Sequence, residues 1–103
     1  MLVNKGRDLS SYNILNDKEL MELYLEDDNR AFNEIYSRYQ SNVYTYLRKR
    51  VHDEVLVNDI FQNCFIKFHK SRDQYDASYP LLKWIYTITR SVMLDELKKR
   101  KEE

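Results

Sequence analysis

Hydrophobic residues recur at intervals of three or four along three long segments of the chain, the spacing of helices with one apolar face. The first segment ends near Val51, the second runs from about residue 54 to Lys70, and the third from about Leu81 to Arg100. The residues expected to face a core are Phe32, Ile35, Tyr39, Val43, Tyr46 and Leu47, then Val57, Ile60, Phe61, Cys64, Phe65 and Phe68, and finally Leu81, Ile85, Ile88 and Val92. The pattern therefore predicts three long amphipathic helices.

A fourth, shorter helix is predicted near the N-terminus. Asn16 can cap it, and Glu19, three residues later, can return a hydrogen bond to the cap, as in a capping box. The helix is expected to reach about Leu25. Residues 1–15 are polar and aperiodic, so we expect a flexible leader there.

Short polar stretches separate the four helices. Either Asp28 or Asn29 can cap the second helix, and Asp53 can cap the third. Pro80 suits the first turn of the fourth. Because the connections are short, the sequence predicts an all-α fold, a compact bundle of about four helices, forming one domain over residues 16–101.

The composition agrees with helices. Among 103 residues there are one glycine and one proline, so few tight turns are available to join strands. The net charge is zero, but residues 1–62 carry 8 Lys and Arg against 11 Asp and Glu, whereas residues 63–103 carry 9 against 6. The C-terminal part is the better candidate for an anionic partner, although a bias of this size is more often a solvated surface.

The cysteine count and hydropathy bear on location. Cys64 is the only cysteine, which excludes an intramolecular disulfide and a cysteine-rich metal site, and its place on an apolar stripe predicts an inert buried thiol. The chain has neither the apolar stretch of a signal peptide nor a run of about eighteen apolar residues. We expect a soluble protein of a reducing cytoplasm, with no membrane partner, metal or cofactor.

Three segments resemble, in order, the region 2 helices of sigma factors of the sigma-70 family, of the extracytoplasmic-function (ECF) type. The segment AFNEIYSRYQSNVYTYLRKRV, residues 31–51, is similar to region 2.1, and VNDIFQNCFIKFHK, residues 57–70, to region 2.2. PLLKWIYTITRSVMLDELKKR, residues 80–100, resembles regions 2.3 and 2.4. The positions that fall on the family pattern are Asp59, Gln62, Phe65, Lys67, Trp84, Tyr86, Ile88, Arg90, Asp95 and Lys98–Arg100.

This resemblance implies a transcription initiation factor without enzymatic activity, which binds core RNA polymerase and melts the promoter −10 element. The polar face of the third helix would dock on the clamp helices of the polymerase β′ subunit, and the fourth helix with its preceding loop would hold the non-template strand as single-stranded DNA. The residues implied for polymerase are Asp59, Gln62, Asn63 and Ile66. Those implied for DNA are Asp76, Ala77, Ser78, Tyr79, Lys83, Trp84, Thr87, Arg90, Ser91 and Leu94.

Helix periodicity supports the DNA assignment. The residues that share the face opposite the apolar stripe of the fourth helix are Lys83, Thr87, Arg90, Leu94 and Lys98. Cations on this face, including Lys98, can neutralise phosphates, and aromatic rings can stack on bases at roughly 1 to 3 kcal/mol each. Tyr75 and Tyr79 could equally cover helix ends, and Trp84 is expected mainly to pack in the core.

Two positions depart from the family pattern. Ser91 stands where the family often has asparagine, and His69 where it usually has Trp or Tyr. The serine at position 91 bears on which promoter base is preferred.

Family members usually continue into a second helical domain, region 4, and are commonly held inactive by an anti-sigma factor. The chain stops at Glu103, and we expect it to be a fragment without region 4, with an anti-sigma factor as a further partner.

The sequence leaves two other classes of function open. The dipeptide His52-Asp53 occurs in metal-dependent phosphohydrolases, but the one other histidine, His69, lies on a different element, and the single glycine, Gly6, leaves no phosphate-binding loop. A helical adaptor that binds protein alone is the stronger alternative. The basic, aromatic-flanked fourth helix argues against it, and DNA binding at physiological salt would separate the two.

Overall fold

The computed structural model describes residues 9–102, and every regular element within that range is helical. The four α-helices are α1 (Asp17–Leu25), α2 (Asn29–Arg50), α3 (Glu54–Lys70) and α4 (Leu81–Glu102). Short 3₁₀ helices lie at Leu9–Ile14 and Arg72–Gln74. The predicted all-α fold with four helices is therefore confirmed for the described range. The chain divides into two compact units, and the division after Tyr39 falls inside α2.

Helix α1 begins with the predicted capping box. The Asn16 side chain accepts a hydrogen bond from the Glu19 backbone N–H at 2.8 Å, and the Glu19 carboxylate accepts one from the Asn16 N–H at 2.9 Å. Two backbone donors that have no partner inside the helix are satisfied in this way. The predicted start of α1 and its end at Leu25 are confirmed.

The segment before α1 differs from the predicted flexible leader wherever the structure describes it. Leu9–Ile14 form a 3₁₀ helix, and the Tyr12 side chain is buried. The Tyr12 hydroxyl donates a hydrogen bond to the Asp28 carboxylate at 2.5 Å. A buried ring with a satisfied hydroxyl orders the segment, although the surrounding polar residues show no periodic pattern. Residues 1–8 of the expected leader lie outside the described residues.

Arg38 of α2 connects several parts of the first unit. Its Nε lies 2.8 Å from the Glu34 carboxylate and its Nη1 3.2 Å from that of Asp17, while Nη2 donates to the Leu15 carbonyl at 2.6 Å. Burial by itself would lower the pKa of Arg38, but hydrogen bonds and charge from Glu34 and Asp17 raise it above its ordinary value. The guanidinium therefore stays charged and joins the turn before α1 to α2.

The turn between α1 and α2 depends on two aspartates. Asp27 has a φ of 67°, in the left-handed region that aspartate tolerates better than most residues. Asp28 accepts the Arg30 backbone N–H at 3.0 Å, so of the two predicted caps it is Asp28 that supplies the side-chain oxygen. Burial works to raise the pKa of Asp28, but hydrogen bonds from Tyr12 and Arg30 hold it below its usual value.

In the second unit, α3 and α4 pack against each other. Helix α3 begins at the predicted cap, where the Asp53 carboxylate accepts the backbone N–H groups of Val55 and Leu56 at 3.0 and 3.2 Å. The predicted stripe residues that are buried are Val57, Ile60, Cys64, Phe65 and Phe68 on α3, Leu81, Ile85 and Ile88 on α4, and, along α2 in both units, Ile35, Val43 and Leu47. The apolar faces were therefore predicted correctly.

The edges of those faces differ from the prediction. Expected core residues that are half-buried are Phe32, Tyr39, Tyr46, Phe61 and Val92. Buried residues that the pattern did not include are Ala31, Leu56, Thr89 and Met93. Thr89 is tolerated there because its hydroxyl donates to the Ile85 carbonyl at 2.9 Å within the same helix. Periodicity thus locates the centre of a buried face better than its margins.

Candidate nucleic-acid interface

The outer face of α4 carries an accessible row of cations. The residues that share this face, and are all exposed, are Lys83, Thr87, Arg90, Leu94 and Lys98. Their exposure follows from the burial of Leu81, Ile85 and Ile88 on the other side of the helix. Three positive charges therefore lie along one side of α4, where a polyanion can reach them.

A cleft of about 290 Å³ opens beside the first turns of α4. The residues that line it are Gln74, Asp76, Tyr79, Lys83, Trp84 and Thr87. Five of these six residues are among those implied for DNA by the family resemblance, and Gln74 is the addition. The volume is at the lower end of the range for small-molecule sites, so the cleft suits a single base-sized group. The lining offers aromatic rings together with a cation and a carboxylate.

Trp84 packs against the core and also lines the cleft. Its ring is half-buried and packs against Phe68 and Tyr75, with ring centroids 5.4 and 5.6 Å away. The same residue lines the cleft. The ring is therefore held in place by its neighbours and does not need to be ordered again when a ligand stacks on it.

The loop before α4 is closed by its own hydrogen bonds. The Asp76 carboxylate accepts the Ser78 backbone N–H at 2.9 Å and the Ser78 hydroxyl at 2.7 Å, and the Tyr79 N–H donates to the Asp76 carbonyl at 3.0 Å. These hydrogen bonds from Ser78 lower the pKa of Asp76. Ala77 is exposed at the tip, and Tyr79 is exposed at the edge of the cleft. The turn presents a carboxylate that can accept hydrogen bonds from base amino groups.

Not every residue implied for DNA lies at the cleft. Arg90, Leu94 and Lys98 continue along the outer face of α4, beyond the residues that line it. Ser91 is half-buried, and the Lys67 ammonium group of α3 is 3.3 Å from its hydroxyl. Ser91 is likewise absent from the lining of the cleft.

The residues implied for polymerase share one exposed face of α3. Asp59, Gln62, Asn63 and Ile66 are all exposed, Ile66 to 50%. Val55 is 69% exposed and precedes Asp59, Gln62 and Ile66 by four, seven and eleven residues, so it belongs to the same face. The family pattern does not point to Val55, whereas its helical spacing relative to Asp59, Gln62 and Ile66 does.

Asn63 and Ile66 also border a second depression, between α3 and α4. It has a volume of about 310 Å³, and the other residues that line it are Lys67, Lys70, Val92, Asp95, Glu96 and Lys99. Lys99 and Glu96 form an exposed ion pair at 3.9 Å. Charges of both signs surround this depression, so it is not a further anion site.

The geometry gives the enzyme alternative little support. The Asp53 carboxylate caps α3, and His52 beside it is exposed. Within residues 9–102 no group of three or more His, Cys, Asp or Glu residues is placed to hold a metal ion. In the same part of the chain, none of the helices is both long enough and apolar enough to cross a membrane.

Comparison with known proteins agrees with the resemblance. The family model for sigma-70 region 2 matches residues 35–103. The ECF RNA polymerase sigma factor SigM of Bacillus subtilis is 30% identical over 73 residues, which is 71% of this chain and 44% of the relative. The ECF RNA polymerase sigma-E factor of Haemophilus influenzae is 32% identical over 74 residues, which is 72% of this chain and 39% of the relative. The RNA polymerase sigma factor CarQ of Myxococcus xanthus is 26% identical over 78 residues, 76% of this chain and 45% of that protein.

The fold, the exposed cationic helix and these matches define the class of protein. The chain belongs to the sigma-70 family and is a region 2 domain of the ECF type. It spans less than half the length of the curated relatives it matches. Comparison with the solved structures finds no significant match.

Proposed function

We propose that this chain binds core RNA polymerase through the exposed face of α3 and holds the opened non-template strand of the promoter −10 element with α4 and the preceding loop. The observation that carries the proposal is the Trp84 cleft, the one lined by Gln74, Asp76, Tyr79, Lys83, Trp84 and Thr87. A base-sized cleft with aromatic walls continues into a row of cations on the same helix. This combination suits single-stranded nucleic acid.

The energetics favour a single strand over a duplex. Taking a base out of the stack costs a few kcal/mol, and an aromatic ring that receives the base recovers roughly 1 to 3 kcal/mol. Trp84 and Tyr79 supply rings at the cleft, and Lys83 and Arg90 supply cations near the same turns of α4. Inside a duplex the base face is covered by its neighbours, so these rings gain nothing from it. Capture of an unstacked base therefore stabilises the melted promoter.

The α3 face has the character of a protein interface. Two exposed apolar side chains, Val55 and Ile66, flank the polar residues Asp59 and Gln62 on it. Protein interfaces commonly combine exposed apolar side chains, which bury area, with polar groups that fix orientation. The relatives are named as RNA polymerase sigma factors, which supports a large polymerase subunit as the partner of this face. The β′ clamp helices implied by the resemblance remain the proposed contact.

A test of the polymerase contact uses purified bacterial core RNA polymerase and immobilised chain. We expect core to be retained, and we expect Asp59→Ala combined with Gln62→Ala to weaken retention about tenfold, because hydrogen bonds at the centre of an interface are lost. Asn33→Ala is the matched control, since Asn33 is exposed on α2 and does not belong to the α3 face. Circular dichroism would show that all variants keep their helicity. Equal retention of the double variant and the control would contradict this interface.

The adaptor alternative makes a different prediction. The exposed Val55 and Ile66 would serve a helical adaptor that binds protein alone just as well. Such an adaptor has no use for the Trp84 cleft, so it would not bind single-stranded DNA at physiological salt. An anti-sigma partner and a cytoplasmic location follow from the sigma-factor proposal rather than from the adaptor.

A further inference from the structure

A third concave surface lies between α4 and the end of α2. Its volume is about 380 Å³, and the residues that form this α2–α4 shelf are Ser41, Asn42, Thr45, Tyr46, Lys49, Arg50 and Tyr86. All seven belong to the second unit. No residue of the shelf was assigned to DNA or polymerase from the sequence, although Tyr86 falls on the family pattern. Its lining is entirely aromatic, basic or neutral polar, and contains no carboxylate.

The Arg50 guanidinium and two tyrosine rings pack together on the shelf. The Arg50 guanidinium lies over the Tyr46 ring, 3.7 Å from its centroid, and Arg50 Nη1 donates to the Tyr46 carbonyl at 3.0 Å. Tyr46 also packs against Tyr86, with ring centroids 5.5 Å apart. The Tyr86 hydroxyl lies 3.4 Å from the Asn42 amide nitrogen. The guanidinium is thus fixed in position, and its other N–H donors suit a phosphate.

The shelf and the Trp84 cleft flank the same face of α4. Consecutive helical residues are about 100° apart, so Trp84 and Tyr86 are separated by about 160° around the axis. Lys83, Thr87 and Arg90 occupy the arc between them, and all three are exposed. A chain that leaves the cleft can therefore cross this arc, past Lys83 and Arg90, and reach Arg50.

We infer that the α2–α4 shelf is a second subsite for single-stranded nucleic acid, in which Arg50 and Lys49 take a phosphate and Tyr86 supports the adjoining nucleotide. The inference rests on the proposed function, since the occupant is a continuation of the strand held by the Trp84 cleft. Arg50 and Lys49 are exposed, with Tyr46 and Tyr86 half-buried beside them. The absence of a carboxylate from the lining favours an anionic occupant over a basic peptide.

The test measures the affinity of two single-stranded oligonucleotides, a short one of about five nucleotides and an extended one of about twelve. Each is measured with the chain alone and with the chain mixed with core RNA polymerase. The short one fills only the cleft, whereas the extended one can reach the shelf. We expect Arg50→Gln to weaken binding of the extended oligonucleotide about two- to fivefold and to reduce its salt slope by about 0.7, with the short one unaffected. Trp84→Ala should weaken binding of both.

Arg48→Gln is the matched control. Arg48 is exposed on the same turn of α2 and its loss removes the same charge, but it lies over Tyr44 rather than on the shelf. If Arg48→Gln and Arg50→Gln weaken binding of the extended oligonucleotide equally, the loss comes from net charge in general, and the shelf is not a subsite. The proposed function still stands in that case, because binding of the short oligonucleotide depends on Trp84. If neither oligonucleotide binds in either setting, the proposed function fails and the subsite fails with it.

Discussion

Among single residues, Arg38 has an unusual number of partners. Its guanidinium reaches two carboxylates and the Leu15 carbonyl, and it also lies 3.3 Å from the carbonyl oxygens of Tyr12 and Asn13. These carbonyls lie at the end of a short 3₁₀ helix, where few backbone donors remain, and the Tyr12 carbonyl also accepts the Leu15 N–H at 3.2 Å. One planar side chain therefore supplies further donors at the point where the N-terminal segment meets α1 and α2.

Replacing Arg38 should lower stability more than an ordinary surface change. We expect Arg38→Ala to reduce the free energy of unfolding by about 2 kcal/mol, because part-buried acceptors lose a charged donor. Arg38→Lys should recover only part of this, since an ammonium group cannot reproduce the planar fork. Urea unfolding followed by circular dichroism measures both, with Lys18→Ala, an exposed site on α1, as the control. An Arg38→Ala midpoint equal to that of the control would show that these bonds contribute nothing net.

The Cys64 thiol offers a test of core packing that depends on pH. Burial raises its pKa to about 11, and the side chain is almost fully inaccessible. The thiol of the unfolded chain ionises at a lower pH than the thiol of the folded chain. The stabilisation that the buried, neutral Cys64 thiol gives the fold is therefore complete below about pH 9, and it is lost as the pH rises to about 11. The thiolate is the reactive form. Since the chain has one cysteine, any thiol signal comes from this position.

At pH 8 the folded chain should react with a disulfide reagent at least about a hundredfold more slowly than the chain in denaturant, because a much smaller fraction of Cys64 is ionised. Absorbance of the released thiol follows the reaction. The unfolded chain supplies the control rate. Rapid reaction of the native chain would mean that α3 and α4 do not protect this side chain.

At the scale of helices, the local signals were sufficient for most of the fold. Asn16 and Asp53 cap α1 and α3 as predicted, because capping needs only residues within one turn. The ordered segment around Tyr12 was missed, since its partner Asp28 lies sixteen positions away. The same reason hid the α2–α4 shelf, which joins Tyr46 to Tyr86 across forty positions. Sequence patterns report neighbours along the chain, whereas these contacts depend on tertiary packing.

The residues of the candidate cleft were also predicted only in part from the sequence. Helical spacing placed Lys83, Thr87 and Arg90 on one exposed face, and the resemblance added the loop residues. Spacing did not show that Gln74 joins the cleft or that Ser91 turns toward Lys67 of α3. Those details follow from the direction in which the loop enters α4 and from the packing of α3 on α4.

The cationic face of α4 should act through phosphates without regard to base sequence. We expect Lys83→Ala, Arg90→Ala and Lys98→Ala each to weaken single-stranded DNA binding for every sequence tried, and to reduce the slope of log affinity against log salt by about 0.7 to 1. Fluorescence anisotropy at several salt concentrations measures the slopes. Lys18→Ala, on α1, is the control for a change of one charge. Slopes that match wild type in all three variants would assign the strand to another surface.

At the scale of the whole molecule, two kinds of surface serve the proposed function. The α3 face, with Val55 and Ile66 among polar residues, suits a protein, and the outer face of α4 suits a polyanion. They occur on neighbouring helices of one unit, packed through a shared apolar core. A factor that must attach to polymerase and hold a DNA strand at the same time needs such separate faces in a fixed relation.

The most direct test of strand capture uses the fluorescence of Trp84, which is the only tryptophan of the chain and lines the cleft. Titration with single-stranded −10 oligonucleotides should change its emission saturably, and the same sequence as a duplex should bind more weakly and change it little, because duplex bases are already stacked. Anisotropy of labelled DNA would report binding independently. A strand that binds by anisotropy yet leaves Trp84 emission unchanged would contradict capture of a base in this cleft.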